Sequence, residues 1–223
     1  MVAEHVLGQE HLLGDGRPLS ALLMGAALHS AILWGPPGTG KTTLAQLVAR
    51  ASDAQYWALS AVTSGVKDIR QIVEKAEKNR SENGRGSVLF LDEVHRFNKA
   101  QQDAFLPWVE NGTLIFIGAT TENPAFELNN ALLSRSRVYP LRSLSDDNLL
   151  VLLTRALDDT TNGLAGRYTC GADQRARLAA AADGDARRLL NLLELAAELA
   201  DSSSATEFDD TLIDDVTEGS LRR

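Results

Sequence analysis

The sequence predicts an α/β fold, with a parallel sheet between helices in the first part of the chain and a smaller helical domain after it. In roughly the first two-thirds of the 223 residues, strand-like and helix-like segments alternate, which favours parallel strands joined by helical crossovers. The segments 88–91 and 114–117 are apolar at every position, as strands covered on both faces require. After about residue 144 only helical patterns follow, so we place the domains at 1–143 and 144–223.

Apolar runs bounded by polar turns predict five strands, which lie at 31–35, 55–61, 87–92, 113–120 and 137–141. A helix is expected at 43–50 after the first strand. Another is expected at 65–80, where apolar residues recur at helical spacing. On that second helix Glu74 and Lys78 are four residues apart and are expected to pair, and a polar turn is expected at 81–86.

The second domain begins at Ser145, which two aspartates follow, as is typical of a helix start. Further helices are predicted at 173–183 and 185–200, and a short last helix at 209–218. The polar segment 201–206 between them is expected to be a loose connector.

Composition narrows the class of protein. The net charge is −8, with 14 acidic and 14 basic side chains in residues 1–144 but 16 acidic and 8 basic ones after them. A basic field over the whole molecule is therefore absent, and nucleic-acid contact would need a local patch or several copies. The single cysteine, Cys170, excludes an internal disulfide, and no histidine–cysteine cluster has zinc-ligand spacing. With no apolar run near the roughly 20 residues of a membrane span and no secretion signal, we expect a cytoplasmic protein.

The most informative stretch is residues 35–42, Gly-Pro-Pro-Gly-Thr-Gly-Lys-Thr, between the first predicted strand and helix. It fits the phosphate-binding loop pattern, in which backbone amides and a helix N-terminus surround phosphate oxygens. Lys41 is expected to reach the β- and γ-phosphates, and Thr42 to ligate Mg²⁺. The sequence thus predicts binding of a nucleoside triphosphate with Mg²⁺ by the loop and the residue after it: Gly35, Pro36, Pro37, Gly38, Thr39, Gly40, Lys41, Thr42 and Thr43.

Acidic residues end the strand at 87–92. Asp92 is expected to hold Mg²⁺ and Glu93 to polarise the attacking water, because a strand end places both beside the phosphates. At the tip of the next strand Thr121 is our first choice, and Thr120 the second, for a hydrogen bond to the water or the γ-phosphate. An ordinary turn explains that segment equally well.

Together these segments resemble an AAA+ ATPase, and in particular the replication-associated recombination protein A family, whose eukaryotic relatives include the Werner-helicase-interacting protein. The generic motifs are joined by the more specific blocks at 91–107 and 117–124, and by segments at 6–14, 60–67, 131–138 and 184–188. The resemblance implies a P-loop AAA+ domain with a five-stranded parallel sheet, a small all-α lid domain, and a chain that is the ATPase portion only.

The resemblance also implies roles for single residues. Thr121 matches the sensor-1 position, and Arg135 matches the arginine finger that enters a neighbouring subunit's site. Arg187 matches the sensor-2 arginine. From the residues alone, both arginines are better explained as surface side chains. Gly8 and Gln9 lie in the segment that passes the adenine, and Ser60 is a weak match for the residue that restrains Glu93.

By resemblance, we expect a DNA-stimulated, Mg-dependent ATPase that remodels DNA in replication-fork maintenance, recombination and repair. Its partners would be forks or single-strand/duplex junctions, single-strand-binding protein and further copies of itself, and no membrane. Lys67 and Arg70 are DNA candidates by analogy, although a solvated helix face explains them too. Two alternatives remain: a clamp-loader or Holliday-junction branch-migration subunit, and a nucleotide-gated scaffold with little turnover.

Overall fold

The computed structural model of this chain describes residues 6–24 and 26–221. Its central element is one five-stranded sheet, in which every pairing is parallel and the strand order is β2-β3-β4-β1-β5. The strands are β1 (Ala31–Trp34), β2 (Gln55–Ser60), β3 (Ser87–Asp92), β4 (Ile115–Thr120) and β5 (Arg137–Pro140). All five predicted strands and the predicted fold class are confirmed.

The sheet is buried on both faces. Successive side chains of a strand point to opposite faces, so in β3 Val88 and Phe90 join one apolar cluster while Leu89 and Leu91 join the other. This is why β3 is apolar throughout. The helices of the sheet unit are α1 (Glu10–Leu13), α2 (Pro18–Leu23), α3 (Lys41–Ala51), α4 (Val66–Asn83), α5 (Lys99–Asp103), α6 (Leu106–Glu110), α7 (Pro124–Glu127) and α8 (Asn130–Ser134).

Helix α4 continues past its predicted end. It runs to Asn83 and stops at Gly84, whose φ of 68° is left-handed, so the predicted turn at 81–86 begins three residues late. Lys78 pairs with Glu82 at 3.8 Å rather than with the predicted Glu74. Both corrections have one cause, because an extra helical turn brings Glu82 to the i+4 position of Lys78.

The chain divides into two compact units. The first comprises Met1–Gly35 and Gly40–Leu141, and the second comprises Pro36–Thr39 and Arg142–Arg223. The main division therefore falls two residues before the boundary we drew at 143/144. The short segment Pro36–Thr39, in the phosphate-binding loop, groups with the helical unit.

The second unit is built from α9 (Asp146–Asp158), α10 (Ala172–Ala182), α11 (Ala186–Ser203) and α12 (Asp210–Leu221). It also holds a two-residue parallel pairing of β6 (Thr169–Cys170) with β7 (Glu207–Phe208), which the sequence did not predict. Helix α11 extends to Ser203, so the first half of the predicted connector 201–206 is helical. None of the helices in the described ranges is long and apolar enough to span a lipid bilayer.

Candidate active site

The phosphate-binding loop joins β1 to α3. Gly38 and Gly40 have φ of 66° and 90°, the left-handed region that glycine adopts without a steric penalty. Gly40 is the N-cap of α3, and no side chain caps this helix. The amides of its first turn are therefore available to an anion, and the helix dipole favours negative charge there.

Two loop glycines are also required by close approach. A Cβ on Gly35 would lie 2.5 Å from the carbonyl oxygen of Leu141. Within the second unit, a Cβ on Gly38 would overlap the Asp185 carboxylate and lie 2.8 Å from the amide nitrogen of Ala186. That amide donates a hydrogen bond to the Gly38 carbonyl at 3.2 Å.

The polar side chains of the loop are largely fixed. Lys41, the first residue of α3, is 8% exposed, and its Nζ donates to the Gly35 carbonyl at 2.7 Å. Thr39 is buried and its hydroxyl donates to the Pro36 carbonyl at 2.9 Å. Thr42 and Thr43 follow in the first turn of α3 and are partly exposed.

The two acidic residues at the end of β3, Asp92 and Glu93, differ in backbone conformation. Asp92 is the last strand residue, and its Oδ1 accepts a hydrogen bond from the Glu93 amide at 3.1 Å. Glu93 has φ 54° and ψ 42°, a left-handed conformation that is uncommon for residues other than glycine. Such outliers concentrate at functional sites, which supports a functional role for this position.

Tyr56 of β2 lies close enough to Asp92 to respond to its charge. Burial, reinforced by the Asp92 carboxylate, raises the pKa of Tyr56 to about 12, because both disfavour the phenolate. The buried phenol oxygen has no hydrogen-bond partner in the described part of the chain.

The sequence predictions missed one residue of this site, His95. It lies in a short 3₁₀ turn, Val94–Arg96, directly after Glu93. Its Nε2 is 3.3 Å from Glu93 Oε2 and its Nδ1 is 2.9 Å from the Thr120 hydroxyl. The only sequence signal was a titratable side chain two residues after the carboxylate.

The two threonines at the end of β4 have different environments. Thr120 is fully buried; its hydroxyl accepts from the Glu122 amide at 3.0 Å, and its carbonyl accepts from the Gly35 amide at 3.1 Å. Thr121, our first choice, follows the strand and is partly buried. The weak match, Ser60, accepts from the Val62 amide at 3.3 Å, while the partner of the Glu93 carboxylate is His95.

Arg135 lies away from these groups, at the end of α8. Its Nη2 is 2.7 Å from Glu110 Oε1, and its Nη1 donates to the Ala131 carbonyl at 2.8 Å. Both side chains of the ion pair are nearly half exposed, at 41% and 46%. The predicted finger is thus held by a surface ion pair in this structure.

Arg187 is an exposed residue in the first turn of α11, in the second unit. The Asp185 carboxylate caps this helix by accepting from the amides of Arg187 and Arg188. The Asp185 carboxylate also packs against Gly38. Asp185 therefore contacts both the Arg187 backbone and the tip of the phosphate-binding loop.

The remaining predicted residues lie on two other elements. Gly8 has φ 73°, and Gln9 is fully buried at the start of α1. His11 of that helix contacts the Pro140 carbonyl at 2.9 Å, which places α1 at the carboxyl end of β5. Lys67 and Arg70 are exposed in the first two turns of α4.

The loop fits a magnesium nucleotide by its own geometry. Gly38 and Gly40 keep side chains out of the cradle, the uncapped α3 presents amides, and the buried Lys41 supplies positive charge. Thr42 and Asp92 carry oxygen atoms of the kind that Mg²⁺ prefers as ligands. In the residues that the structure describes, no three His, Cys, Asp or Glu side chains form a metal cluster.

Comparison with known proteins agrees with this geometry. Residues 31–142 match the ATPase family associated with various cellular activities (AAA). The replication-associated recombination protein A of Escherichia coli K12 is 56% identical over 196 residues, covering 87% of this chain and 44% of that protein. Its counterpart in Coxiella burnetii is 51% identical over 222 residues, covering 99% of this chain and 50% of that protein. The chain thus spans about half the length of these relatives.

A solved structure shares the fold. The RuvB Holliday junction branch migration motor of Thermotoga maritima superposes with a TM-score of 0.75 at 25% identity, covering 95% of this chain and 69% of that one.

Proposed function

This chain belongs to the AAA family of ATPases, and on that premise we propose that it is the ATP-hydrolysing module of a DNA-remodelling motor in replication-fork maintenance, recombination and repair. The observation that carries the proposal is its 56% identity to a replication-associated recombination protein, together with an intact phosphate-binding loop. We infer a site of action where chromosomal DNA is replicated.

In the proposed reaction, the water oxygen bonds to the γ-phosphorus while the bond to the β–γ bridging oxygen breaks, giving ADP and phosphate. Glu93 accepts the proton of that water. Lys41 and the loop amides stabilise the phosphate charge. Thr42 and Asp92 hold Mg²⁺, which would neutralise charge on the phosphate oxygens.

We further propose that each site is completed by a neighbouring copy. Arg135 is the proposed finger, and an arginine supplied in trans contributes about 10³–10⁵ in rate. That factor corresponds to roughly 4–7 kcal/mol of barrier. Arg187 and Thr121 remain the proposed sensors of the γ-phosphate.

The proposed DNA contact is Lys67 and Arg70, which are exposed on one face of α4. Both can meet backbone phosphates without base readout, as a motor that acts on many sequences needs. Single-strand-binding protein is a proposed partner from the family resemblance alone.

A second candidate function is branch migration of four-way junctions. The structural similarity to the RuvB motor favours it, because the two folds superpose over most of both chains. We rank it second because the relatives of 51–56% identity carry the other name.

The test is steady-state ATP hydrolysis over a range of protein concentrations, with and without forked DNA that carries a single-stranded gap. We expect a rate per subunit that rises with concentration and with DNA. Glu93→Gln is the matched control, which should bind ATP as before and lose at least about 10² in rate. Tight ATP binding with a flat, negligible rate in the full-length protein would instead support the nucleotide-gated scaffold.

A further inference from the structure

We propose that His95 is a positioning residue for Glu93, which orients the carboxylate towards the reacting water and couples it to the phosphate-binding loop through Thr120. The inference rests on the proposed ATPase function and adds a residue to it. It starts from hydrogen bonds within the first unit that lead from Lys41 to His95, and from the contact of His95 with Glu93.

The path begins at the loop. Lys41 Nζ donates to the Gly35 carbonyl at 2.7 Å, and the Gly35 amide donates to the Thr120 carbonyl at 3.1 Å. The Thr120 hydroxyl is 2.9 Å from His95 Nδ1, and His95 Nε2 is 3.3 Å from Glu93 Oε2. Hydrogen bonds therefore link Lys41 to His95, and a contact of 3.3 Å between His95 Nε2 and Glu93 Oε2 completes the path.

The middle of this path is rigid. Thr120 is fully buried and the His95 side chain is 10% exposed, whereas Glu93 is 31% exposed. A buried imidazole bonded on one side to a buried hydroxyl has little rotational freedom. The buried His95 ring thus contacts the more exposed Glu93 carboxylate from the interior of the protein.

The partners of His95 select its tautomer. A carboxylate oxygen has no hydrogen to donate, so in the neutral imidazole the proton must be on Nε2 to make the contact with Glu93 attractive. Nδ1 then accepts from the Thr120 hydroxyl at 2.9 Å, in preference to the other acceptor of that hydroxyl, the Glu122 carbonyl at 3.3 Å. The hydroxyl oxygen in turn accepts from the Glu122 amide at 3.0 Å. In this arrangement both ring nitrogens of His95 face a group of complementary polarity.

The contact with His95 acts on a residue whose backbone conformation is uncommon. Glu93 sits in a left-handed conformation between a strand and a 3₁₀ turn. A misplaced catalytic group costs roughly 10²-fold in rate per ångström. Contact of Oε2 with a residue only two positions away restricts the carboxylate and leaves Oε1 outside that contact.

The test compares three substitutions at one position in the full-length protein with forked DNA. His95→Gln places an amide N–H near the position of Nε2 and so keeps the contact with Glu93. His95→Asn keeps only a group near Nδ1, and His95→Leu keeps neither. We expect kcat to fall roughly tenfold to hundredfold in the Asn and Leu variants and to recover largely in the Gln variant, with the KM for ATP within about twofold throughout.

Three outcomes would overturn the inference. Equal kcat in all variants would show that His95 does not position Glu93, and a higher kcat would show that it restrains Glu93 instead. Parallel losses of kcat, ATP affinity and thermal stability in all three would show a structural role. The wild-type and Glu93→Gln rates, measured in the same assay, report separately on the ATPase proposal.

A second readout does not depend on turnover. The ¹⁵N chemical shifts of the His95 ring in this 24.1 kDa chain report which nitrogen carries the proton. We expect the Nε2–H tautomer in the wild type and its loss of preference in Thr120→Val, which keeps the side-chain shape but removes the hydroxyl. An Nδ1–H tautomer in the wild type would contradict the proposed network.

Discussion

The substitution Gly38→Ala tests whether the tip of the phosphate-binding loop is fixed by its contact with the start of α11. Gly38 has φ 66°, and a left-handed conformation costs an alanine about 1–2 kcal/mol. The new Cβ would also displace the Asp185 carboxylate, which caps α11 through the amides of Arg187 and Arg188. Losing such a cap costs about 0.5–2 kcal/mol, so we expect a total loss of about 1.5–4 kcal/mol.

A matched control separates the two contributions. Gly84 has nearly the same φ, 68°, but a Cβ there would meet no atom within 4 Å. Gly84→Ala should therefore cost only the conformational part, about 1–2 kcal/mol. Asp185→Ala should cost only the stability that the helix cap contributes, about 0.5–2 kcal/mol.

The assay is denaturant unfolding of the wild type, the three single variants and the Gly38→Ala/Asp185→Ala double variant, with nucleotide affinity measured on each. Gly38→Ala should be the least stable and should lose nucleotide binding, whereas Gly84→Ala should bind normally. In the Gly38→Ala/Asp185→Ala double variant the two losses should not add, since the displaced carboxylate is already gone. Equal losses in Gly38→Ala and Gly84→Ala, with additive behaviour in the double variant, would refute the reasoning.

Three further outcomes are expected. Arg135→Ala should keep nucleotide affinity and remove DNA-stimulated turnover, and an unchanged rate would exclude Arg135 as the finger. Glu110→Gln, which breaks the ion pair with Arg135, should raise DNA-stimulated turnover by no more than about fivefold, because an exposed pair contributes only ~0.2–1 kcal/mol. Replacing Lys67 or Arg70 by Ala should reduce the slope of log affinity for DNA against log salt by about 0.7–0.9 each, with basal hydrolysis unchanged, and an unaltered slope would exclude the contact. Tyr56 should stay protonated to about pH 12 in an ultraviolet titration. Because folding raises the pKa of Tyr56, the stability that its protonated form contributes is complete below pH 10 and is lost between pH 10 and about 12. Tyr56→Phe should abolish that loss.

The sequence was sufficient to predict the sheet because burial on both faces leaves a local signal. In β3 the run 88–91 is apolar throughout, and each face of the strand packs into its own cluster. The loop at 35–42 was equally predictable, because Gly38 and Gly40 have the positive φ angles that favour glycine, which is a local requirement.

The remainder depends on contacts between residues far apart in the chain. Thr120 and His95 are 25 positions apart, and nothing in either segment indicates that they meet. Similarly, the pairing of Arg135 with Glu110 arises from tertiary structure rather than from helical spacing. The helix end at Gly84 was misplaced because the polar residues before it suit a turn and an exposed helix equally well.

The conformation of Glu93 has a consequence for how variants of this protein are selected. A glutamate with φ 54° destabilises the folded chain by about 1–2 kcal/mol relative to a glycine at the same position, and by less relative to an asparagine. A screen for thermal tolerance or expression would therefore enrich Glu93→Gly and Glu93→Asn, and under our proposal these variants would be inactive. Directed evolution of this chain needs a selection on turnover, because at position 93 stability and activity favour different amino acids.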